Sequence, residues 1–441
     1  MSNISRRNFL ITAGATTAAT LVMHGCTSGT TSSSTSSSPA PASPSPVAAA
    51  DTPEVTTAKL GFIALTDSAP LIIAKEKGLF AKYGMPDVEV VKQASWAVTR
   101  DNLELGSGGG GIDGAHILSP MPYLMTVGKI TKGNAKVPMN ILARLNVNGQ
   151  GISLANSYAD LKVDTDSSPL KEVFAQGKSA GKEMKCAVTF PGGTHDLWMR
   201  YWLAAGGIDP DKDVSTIVVP PPQMVANIKV NNMEAFCVGE PWNAQTVNQK
   251  IGYSAVTTGE LWKDHPEKAL TMRADWVEAN PKAAKAITMA VQEAQIWCDD
   301  PGNKEEMCEI VSGRQWFKVP KADILERMKG NFDFGNGRKL ENSDLVMKFW
   351  NDNASYPYQS HDLWFLTEDI RWGYLPTDTD TAALIKQVNR EDIWREAAKA
   401  IGQEAAIPSS TSRGVETFFD GVKFDPEKPD AYLSSLKIKK A

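Results

Sequence analysis

Residues 185–207 read KCAVTFPGGTHDLWMRYWLAAGG. The run KCAVTF predicts a strand, and the stretch from Asp196 to Ala205 predicts a helix that ends at Gly206-Gly207. A glycine pair, a hydroxyl group, a histidine and a carboxylate lie between or just inside these two elements. The stretch therefore predicts one strand–loop–helix unit with chemistry-bearing residues where the helix begins.

Similar units recur along the chain. Apolar runs at 60–65, 88–93 and 235–239 predict further strands, and helix-like segments separate them. This alternation is typical of parallel α/β sheets. From about residue 255 the periodicity becomes helical, and the last thirty-odd residues are loop-rich with interspersed aromatic side chains. About 390 residues follow the N-terminal leader, which is more than one core usually supports, so we expect two lobes.

The N-terminus carries an export signal. Ser5–Leu10 reads SRRNFL, a twin-arginine pattern, and the apolar segment after it is too short to cross a membrane. Met23-His24-Gly25-Cys26 resembles a lipoprotein cleavage box, so we expect cleavage before Cys26 and lipid attachment to its thiol. The alternative is an exported protein without an anchor. Residues 27–50 contain only small residues and proline, typical of a flexible tether.

Composition excludes several classes of function. The formal net charge is −5 and the basic residues are dispersed, which argues against a nucleic-acid surface. No zinc-like spacing occurs among the cysteines and histidines. Cys186 and Cys237 fit buried apolar positions, whereas Cys298 and Cys308 flank a turn-like segment and leave a local disulfide open.

One motif resembles a nucleotide-binding loop but lacks the context that this chemistry needs. Residues 106–111 read GSGGGG, yet they follow a helix and precede a strand, the reverse of a dinucleotide site, and predict a flexible turn. Neither a nucleophile elbow nor a metalloprotease motif is present. His116 and His361 fit structural roles. We therefore expect no catalytic residue, no metal and no cofactor.

The loop PGGTH remains open between two interpretations. Gly192, Gly193 and Thr194 stand at a predicted helix N-terminus, where free N–H groups and the helix dipole favour an anion. Thr194 is expected to cap the helix, and His195 to present an N–H from its first turn. A plain strand–loop–helix joint explains the same residues equally well.

Taken together, several segments resemble the cyanobacterial nitrate-binding lipoproteins of ABC transporters, whose close relatives bind bicarbonate. These segments are KLGFIALTDSAPLIIAKEKGLF, KQASW, GIDGAHILSPMPYL, NVNGQGI, FPGGTHDLW, FCVGEPWNAQTVNQ and LWKDHPEKA. The similarity runs from about Thr57 to the C-terminus. It implies a periplasmic binding protein fold of type II, in which two α/β lobes are joined by crossover strands and a helical, loop-rich extension follows.

The resemblance also implies a division of the chain. The expected parts are a signal peptide (1–26), a tether (27–54), the first part of lobe I (55–150), lobe II (151–240), and the rest of lobe I with the extension (241–441). The implied function is periplasmic capture of nitrate, with nitrite as a second ligand, by a monomeric receptor that delivers the anion to a permease–ATPase complex. The nearest alternative is bicarbonate binding. An enzyme of the same fold and a cytoplasmic nitrate sensor fit the export signal less well.

Carried over motif by motif, the implied ligand-binding residues are Trp96, Gln150, His195, Gly239 and Lys268. Their side-chain and backbone N–H groups suit a planar anion that only accepts hydrogen bonds. Lys268 would supply the compensating charge. The bicarbonate-binding relatives have a glutamate there and also use calcium, so a lysine is expected to favour nitrate over an anion that carries its own O–H.

Overall fold

The computed structural model describes residues 52–438, which belong to one compact unit of the chain. The signal peptide, Cys26 and nearly all of the tether lie outside the described residues. The first part of the fold supplies four strands and the helices between them. These are β1 (Thr57–Phe62), α1 (Ala69–Glu76), α2 (Leu79–Lys82), β2 (Asp87–Lys92), α3 (Trp96–Leu105), β3 (Gly114–Leu118), α4 (Met121–Thr126) and β4 (Met139–Arg144).

The chain then crosses into a second sheet. Its elements are β5 (Gln150–Ala155), α5 (Pro169–Ser179), β6 (Lys185–Val188), α6 (Thr194–Ala205), β7 (Ser215–Val218), α7 (Met224–Lys229), β8 (Ala235–Gly239), α8 (Trp242–Asn248) and β9 (Gly252–Thr257). The strand order is β7-β6-β8-β5-β9. Strand β6 runs parallel to both of its neighbours, whereas β5 is antiparallel to β8 and β9.

A second crossing returns the chain to the first sheet. After α9 (Thr258–Leu261), strand β10 (Lys268–Arg273) inserts between β3 and β4 and is antiparallel to both. The first sheet therefore has the order β2-β1-β3-β10-β4, the same pattern as the second. The expected two-lobed α/β architecture is confirmed.

Two details differ from the sequence analysis. Both sheets are mixed rather than purely parallel, because β5 and β10 each arrive from the opposite lobe and run against the strands beside them. Lobe II also continues past the expected boundary at residue 240, since β9 pairs with β5 along its length. The two crossings are residues 145–149 and 258–267.

Helices dominate the remainder of the chain. The elements are α10 (Ala274–Ala279), α11 (Pro281–Asp299), α12 (Lys304–Ser312), α13 (Ala322–Met328), β11 (Phe332–Asp333), β12 (Lys339–Leu340), α14 (Gln359–Arg371), α15 (Thr381–Val388), α16 (Glu391–Ala400), β13 (Glu416–Thr417), β14 (Lys423–Phe424) and α17 (Pro429–Ser435). Phe418 of the tail packs against Trp198 of α6 and Trp262 of the second crossing, with ring centroids 6.2 and 5.2 Å apart. The tail thus touches lobe II and the crossing together.

The glycine run and the cysteines have structural roles. Gly106 ends α3 and the run leads into β3, the predicted helix–turn–strand order. Cys298 and Cys308 are buried free thiols on α11 and α12, so the disulfide that the sequence left open is absent from the structure. Between residues 52 and 438, no helix is both long and apolar enough to cross a membrane.

Candidate functional site

Lys268 lies at the centre of a polar cluster between the two lobes. It is the first residue of β10 and is fully buried. Its Nζ atom is 2.9 Å from Oδ2 of Asp67 and also contacts the carboxylate of Glu267. Asp67 follows β1, and its Oδ1 atom is 2.5 Å from Nε2 of His116 on β3. The single ammonium group of Lys268 is therefore paired with two buried carboxylates.

Trp96 approaches this cluster from the start of α3. The Ser95 side chain caps that helix by accepting from the backbone N–H of Val98 at 3.2 Å, which fixes where Trp96 stands. The Trp96 ring lies 5.6 Å from the Lys268 ammonium and 5.3 Å from the His116 ring. Its indole N–H is buried and has no hydrogen-bond partner among the described residues. Such a donor is costly to bury unless something accepts from it.

His195 faces the cluster from lobe II, in the first turn of α6 as predicted. Its Nδ1 atom is 2.5 Å from Oγ1 of Thr189, and its Nε2 atom is 2.9 Å from Oε1 of Glu267 without the alignment of a hydrogen bond. The carboxylate beside Nε2 favours the tautomer with its proton there, so the Thr189 hydroxyl donates to Nδ1. His195 thereby presents a second buried N–H.

The expected helix cap is not formed. Gly193 is the N-terminal cap of α6 and Thr194 is already helical. The Thr194 hydroxyl instead donates to Oε1 of Glu267 at 3.2 Å, across the lobes. The cap prediction failed because a buried carboxylate from the second crossing competes for that hydroxyl.

Gln150 is oriented by His265, a residue of the second crossing. The Nδ1–H of His265 donates to the carbonyl of Pro266 at 2.6 Å, since a carbonyl oxygen only accepts. The Nε2 atom of His265 therefore accepts from the Gln150 amide nitrogen at 2.7 Å. This leaves the second amide N–H of Gln150 available, while its Oε1 atom has no hydrogen-bond partner within residues 52–438.

Gly239 ends β8 directly opposite Gln150 in the ladder. A Cβ atom at this position would lie 3.0 Å from Oδ2 of Asp67 and 3.3 Å from Leu65. Next to it, the backbone N–H of Thr66 donates to the carbonyl of Glu240 at 2.8 Å, which joins the lobes. A glycine is needed here because the Gly239 backbone of lobe II packs directly against the side chains of Asp67 and Leu65 of lobe I.

Burial and charge act in opposite directions on the two carboxylates. Burial alone would raise the pKa of Asp67, but the Lys268 ammonium and the His116 ring outweigh it and hold that pKa well below its usual range. Burial raises the pKa of Glu267 to about 8, with the negative charge of Asp67 adding to it and Lys268 opposing it. Two acids that share one counter-charge thus separate into one ionised and one readily protonated group.

The histidines of the site are held neutral. Burial, followed by the positive charge of Lys268, lowers the pKa of His195 well below its ordinary value. Burial lowers the pKa of His116 despite the nearby Asp67, and lowers that of His265 to about 3. Neutral imidazoles donate or accept single hydrogen bonds and add no charge to the cluster.

The structure brings all five predicted residues into one buried region. Trp96 and Lys268 come from lobe I, and Gln150, His195 and Gly239 from lobe II. The sequence analysis missed Asp67 and Glu267, and it did not connect His116 or His265 with the site. Glu267 could have been noticed as an acid adjacent to the key lysine, and Asp67 as an acid just after the first strand. No three or more acidic, cysteine or histidine side chains among residues 52–438 are arranged to hold a metal.

Two α/β lobes with a buried polar cluster at their junction define a periplasmic binding protein. Residues 51–312 match the NMT1-like family, and the chain belongs to it. It is 66% identical over 445 residues to the nitrate/nitrite binding protein NrtA of Nostoc sp. PCC 7120, covering all of both chains. The crystal structure of the periplasmic nitrate-binding protein NrtA from Synechocystis PCC 6803 has a TM-score of 0.86 and 70% identity, covering 88% of this chain and 100% of that one.

Two further relatives differ in what they bind or do. The bicarbonate-binding protein CmpA of Synechococcus elongatus is 46% identical over 448 residues, which cover 99% of each chain. The nitrate import ATP-binding protein NrtC of Synechocystis sp. PCC 6803 is 34% identical over 380 residues, which cover 86% of this chain and 55% of that protein.

The buried neutral His265 predicts a pH dependence of stability. Its folded pKa of about 3 lies below the unfolded value of about 6.5, so the unfolded chain takes up the proton first and stability falls as pH drops below about 6.5. Between pH 7 and 5, His265→Gln should lose about 2 kcal/mol less unfolding free energy than the wild type. Urea unfolding at several pH values measures this. Plotted against pH, the unfolding free energies of the wild type and His265→Gln should run parallel between pH 7 and 8.5. If they also run parallel below pH 6, the prediction is contradicted.

Proposed function

We propose that this protein binds nitrate, and nitrite as a second ligand, and delivers them to an ABC transporter. The observation that carries the proposal is a pair of buried N–H donors without hydrogen-bond partners among the described residues, on Trp96 and His195, in the same cluster as the buried Lys268 ammonium. Nitrate is a planar monoanion with three acceptor oxygens and no proton. It would accept from both donors, from the free amide N–H of Gln150 and from Lys268. Nitrite offers a subset of the same acceptors.

Bicarbonate is the second candidate, and one atom favours it. Its O–H needs an acceptor, and Oε1 of Gln150 is a buried acceptor without a partner among the described residues. The expectation that Lys268 leaves the O–H of bicarbonate without a partner is therefore weakened, because Gln150 offers an acceptor for it. Each oxygen of Asp67 and Glu267 already accepts from one donor, which is His116, Lys268 or Thr194, and a carboxylate oxygen can accept a second. The greater identity to the nitrate-binding relatives weighs towards nitrate.

Capture requires the lobes to move. The side chains of Trp96, His195 and Lys268 have no exposed surface, so an anion can reach them only when the lobes separate. Ligand bound between Trp96 on one side and His195 on the other would stabilise the closed form over the open one. The permease would then receive ligand from the closed form. No chemical step on the anion is needed.

The partners and location follow from the relatives and the leader. The similarity to NrtC, an ATP-binding protein of nitrate import, supports a permease–ATPase partner. The similarity to a periplasmic NrtA supports a periplasmic site of action. The twin-arginine signal and Cys26 support export, cleavage and acylation, so that a monomeric receptor stays on the periplasmic face of the inner membrane.

Titration with separate anions tests the proposed ligand. Isothermal titration calorimetry with nitrate, nitrite and bicarbonate at equal ionic strength should give saturable heats for nitrate and nitrite and a much weaker signal for bicarbonate. Bicarbonate binding with no nitrate heat would overturn the assignment in favour of the second candidate.

Variants at Lys268 and Trp96 test the site. Lys268→Glu should abolish nitrate binding because it replaces the counter-charge by a third acid. Trp96→Phe, which keeps an aromatic ring but removes the indole N–H and part of the ring, should weaken binding about 10- to 100-fold. The matched control is Lys263→Met, which removes an exposed lysine of the second crossing, five residues before Lys268, and should leave binding unchanged. Retained affinity in both folded site variants would show that neither residue contacts the anion.

The anchor is tested separately. Cys26→Ser, expressed in a cyanobacterial or other export-competent host, should move the protein from the membrane fraction to the released periplasmic fraction. Nitrate binding by the released protein should be unchanged. Membrane association that persists in Cys26→Ser would contradict acylation at this cysteine.

A further inference from the structure

Glu267 is the acid of the site whose side chain contacts side chains of both lobes. Its backbone is held by lobe I, where its N–H donates to the carbonyl of Asn146 and its own carbonyl accepts from Ser119. Its side chain contacts Thr194 and His195 at the start of α6 in lobe II, and Lys268 beside it. It is fully buried. Glu267 thus contacts one residue proposed to bind the anion in each lobe, Lys268 in lobe I and His195 in lobe II.

The charges of the cluster do not suit a bound anion when both acids are ionised. Asp67 and Glu267 would carry two negative charges against the single positive charge of Lys268, since His116, His195 and His265 are neutral. A nitrate ion would bring the total from −1 to −2 in a site without water-exposed side chains. Such an uncompensated charge costs several kcal/mol, and buried groups usually neutralise instead.

We propose that Glu267 takes up one proton from solvent as the anion binds, and that the resulting carboxylic acid is a further ligand of nitrate through its O–H. The proposal rests on nitrate being the ligand. It makes capture a joint uptake of one anion and one proton, so the charge of the cluster does not change on binding. Protonation also turns the Glu267 carboxylate from a hydrogen-bond acceptor into a donor, which is what an anion that can only accept hydrogen bonds needs.

The neighbouring groups assign the proton to Glu267. Asp67 is the poorer candidate, because both its oxygens are paired with donors, His116 and Lys268, and its pKa is held low. His195 lies against Glu267 from α6, but burial and Lys268 keep its pKa below the ordinary range. His116 and His265 are kept neutral in the same way. Glu267, with a pKa of about 8, changes state near physiological pH.

The proton also bears on selectivity. An ionised Glu267 would accept from the O–H of bicarbonate, whereas a protonated one competes with that O–H as a second donor. The favoured ligands are then small monoanions that carry acceptors only. Discrimination against bicarbonate should therefore be greatest where Glu267 is protonated, at the acidic side of its titration.

Proton uptake can be measured on the wild-type protein. Nitrate titrations in two buffers of different ionisation enthalpy give the number of protons bound per nitrate. We expect close to one proton per nitrate at pH 9, where Glu267 of the free protein is ionised, and an affinity at least about tenfold weaker at pH 9 than at pH 6. The sign follows because the complex holds more protons than the free protein, so affinity rises as pH falls. An infrared difference spectrum at pH 9 should show a new carboxylic-acid C=O band on nitrate binding.

Glu267→Gln mimics the protonated acid and tests the assignment. It should bind nitrate at pH 6 at least as tightly as the wild type, and should lose the proton uptake, the pH dependence and the infrared band. The matched control is Glu234→Gln, a buried acid of lobe II that accepts from the backbone N–H of Lys185 away from the cluster. That variant should keep all three signals.

The outcomes separate the two proposals. Wild-type nitrate binding without proton uptake or pH dependence overturns the role of Glu267 and leaves nitrate binding standing. Uptake that persists in folded Glu267→Gln assigns the proton elsewhere and also overturns it. A wild type that gives no nitrate heat at any pH overturns the proposed function itself. If Glu267→Gln does not fold, the wild-type proton count and infrared band still decide.

Discussion

Two carboxylates share one ammonium group at a position with no exposure to solvent. This buried ion cluster limits how the segments around it can be arranged. Each buried charge costs several kcal/mol unless partners match it closely. Lys268, Asp67 and Glu267 therefore have to be held at contact distance by rigid elements. They come from the start of β10, the turn after β1 and the end of the second crossing. The cluster exists only where these three segments meet, and Thr194 and His195 of lobe II reach it through Glu267.

Strand direction explains how the segments meet. In an open α/β sheet, the ligand site lies beyond the carboxyl ends of the parallel strands. Asp67 follows β1 at that edge of the first sheet, and Gly239 ends β8 at that edge of the second. Strands β5 and β10 run the other way, so their first residues, Gln150 and Lys268, arrive at the same edges. A reversed strand in each sheet thus lets the chain cross lobes and deliver a ligand-binding side chain in one step.

This geometry marks the limit of what the sequence could predict. Alternating strands and helices gave the two α/β lobes correctly, and the motif around His195 placed it in the first turn of α6. Strand direction could not be read from apolar runs, because β10 carries apolar residues like β3 and β4 beside it, which run the other way. The expected boundary at residue 240 ends lobe II too early, because nothing in the local sequence shows that β9 pairs with β5. Glu267 escaped notice because the contact that gives it a role is not local. Its neighbour Lys268 is adjacent in sequence, but Thr194, which shows that Glu267 bridges the lobes, is 73 residues away.

The position of Glu267 links charge to movement. Its contacts with Thr194 and His195 can form only when lobe II approaches lobe I, and that approach also excludes water from its carboxylate. Loss of water raises the pKa of an acid, so closure and protonation favour each other. A bound anion adds negative charge beside the same carboxylate and strengthens the link. Because Asp67 already matches the charge of Lys268, the lysine alone cannot hold the closed form on an anion. Closure, protonation and capture are then three aspects of one coupled equilibrium, and the lobes would close fully only on a ligand that leaves the proton on Glu267.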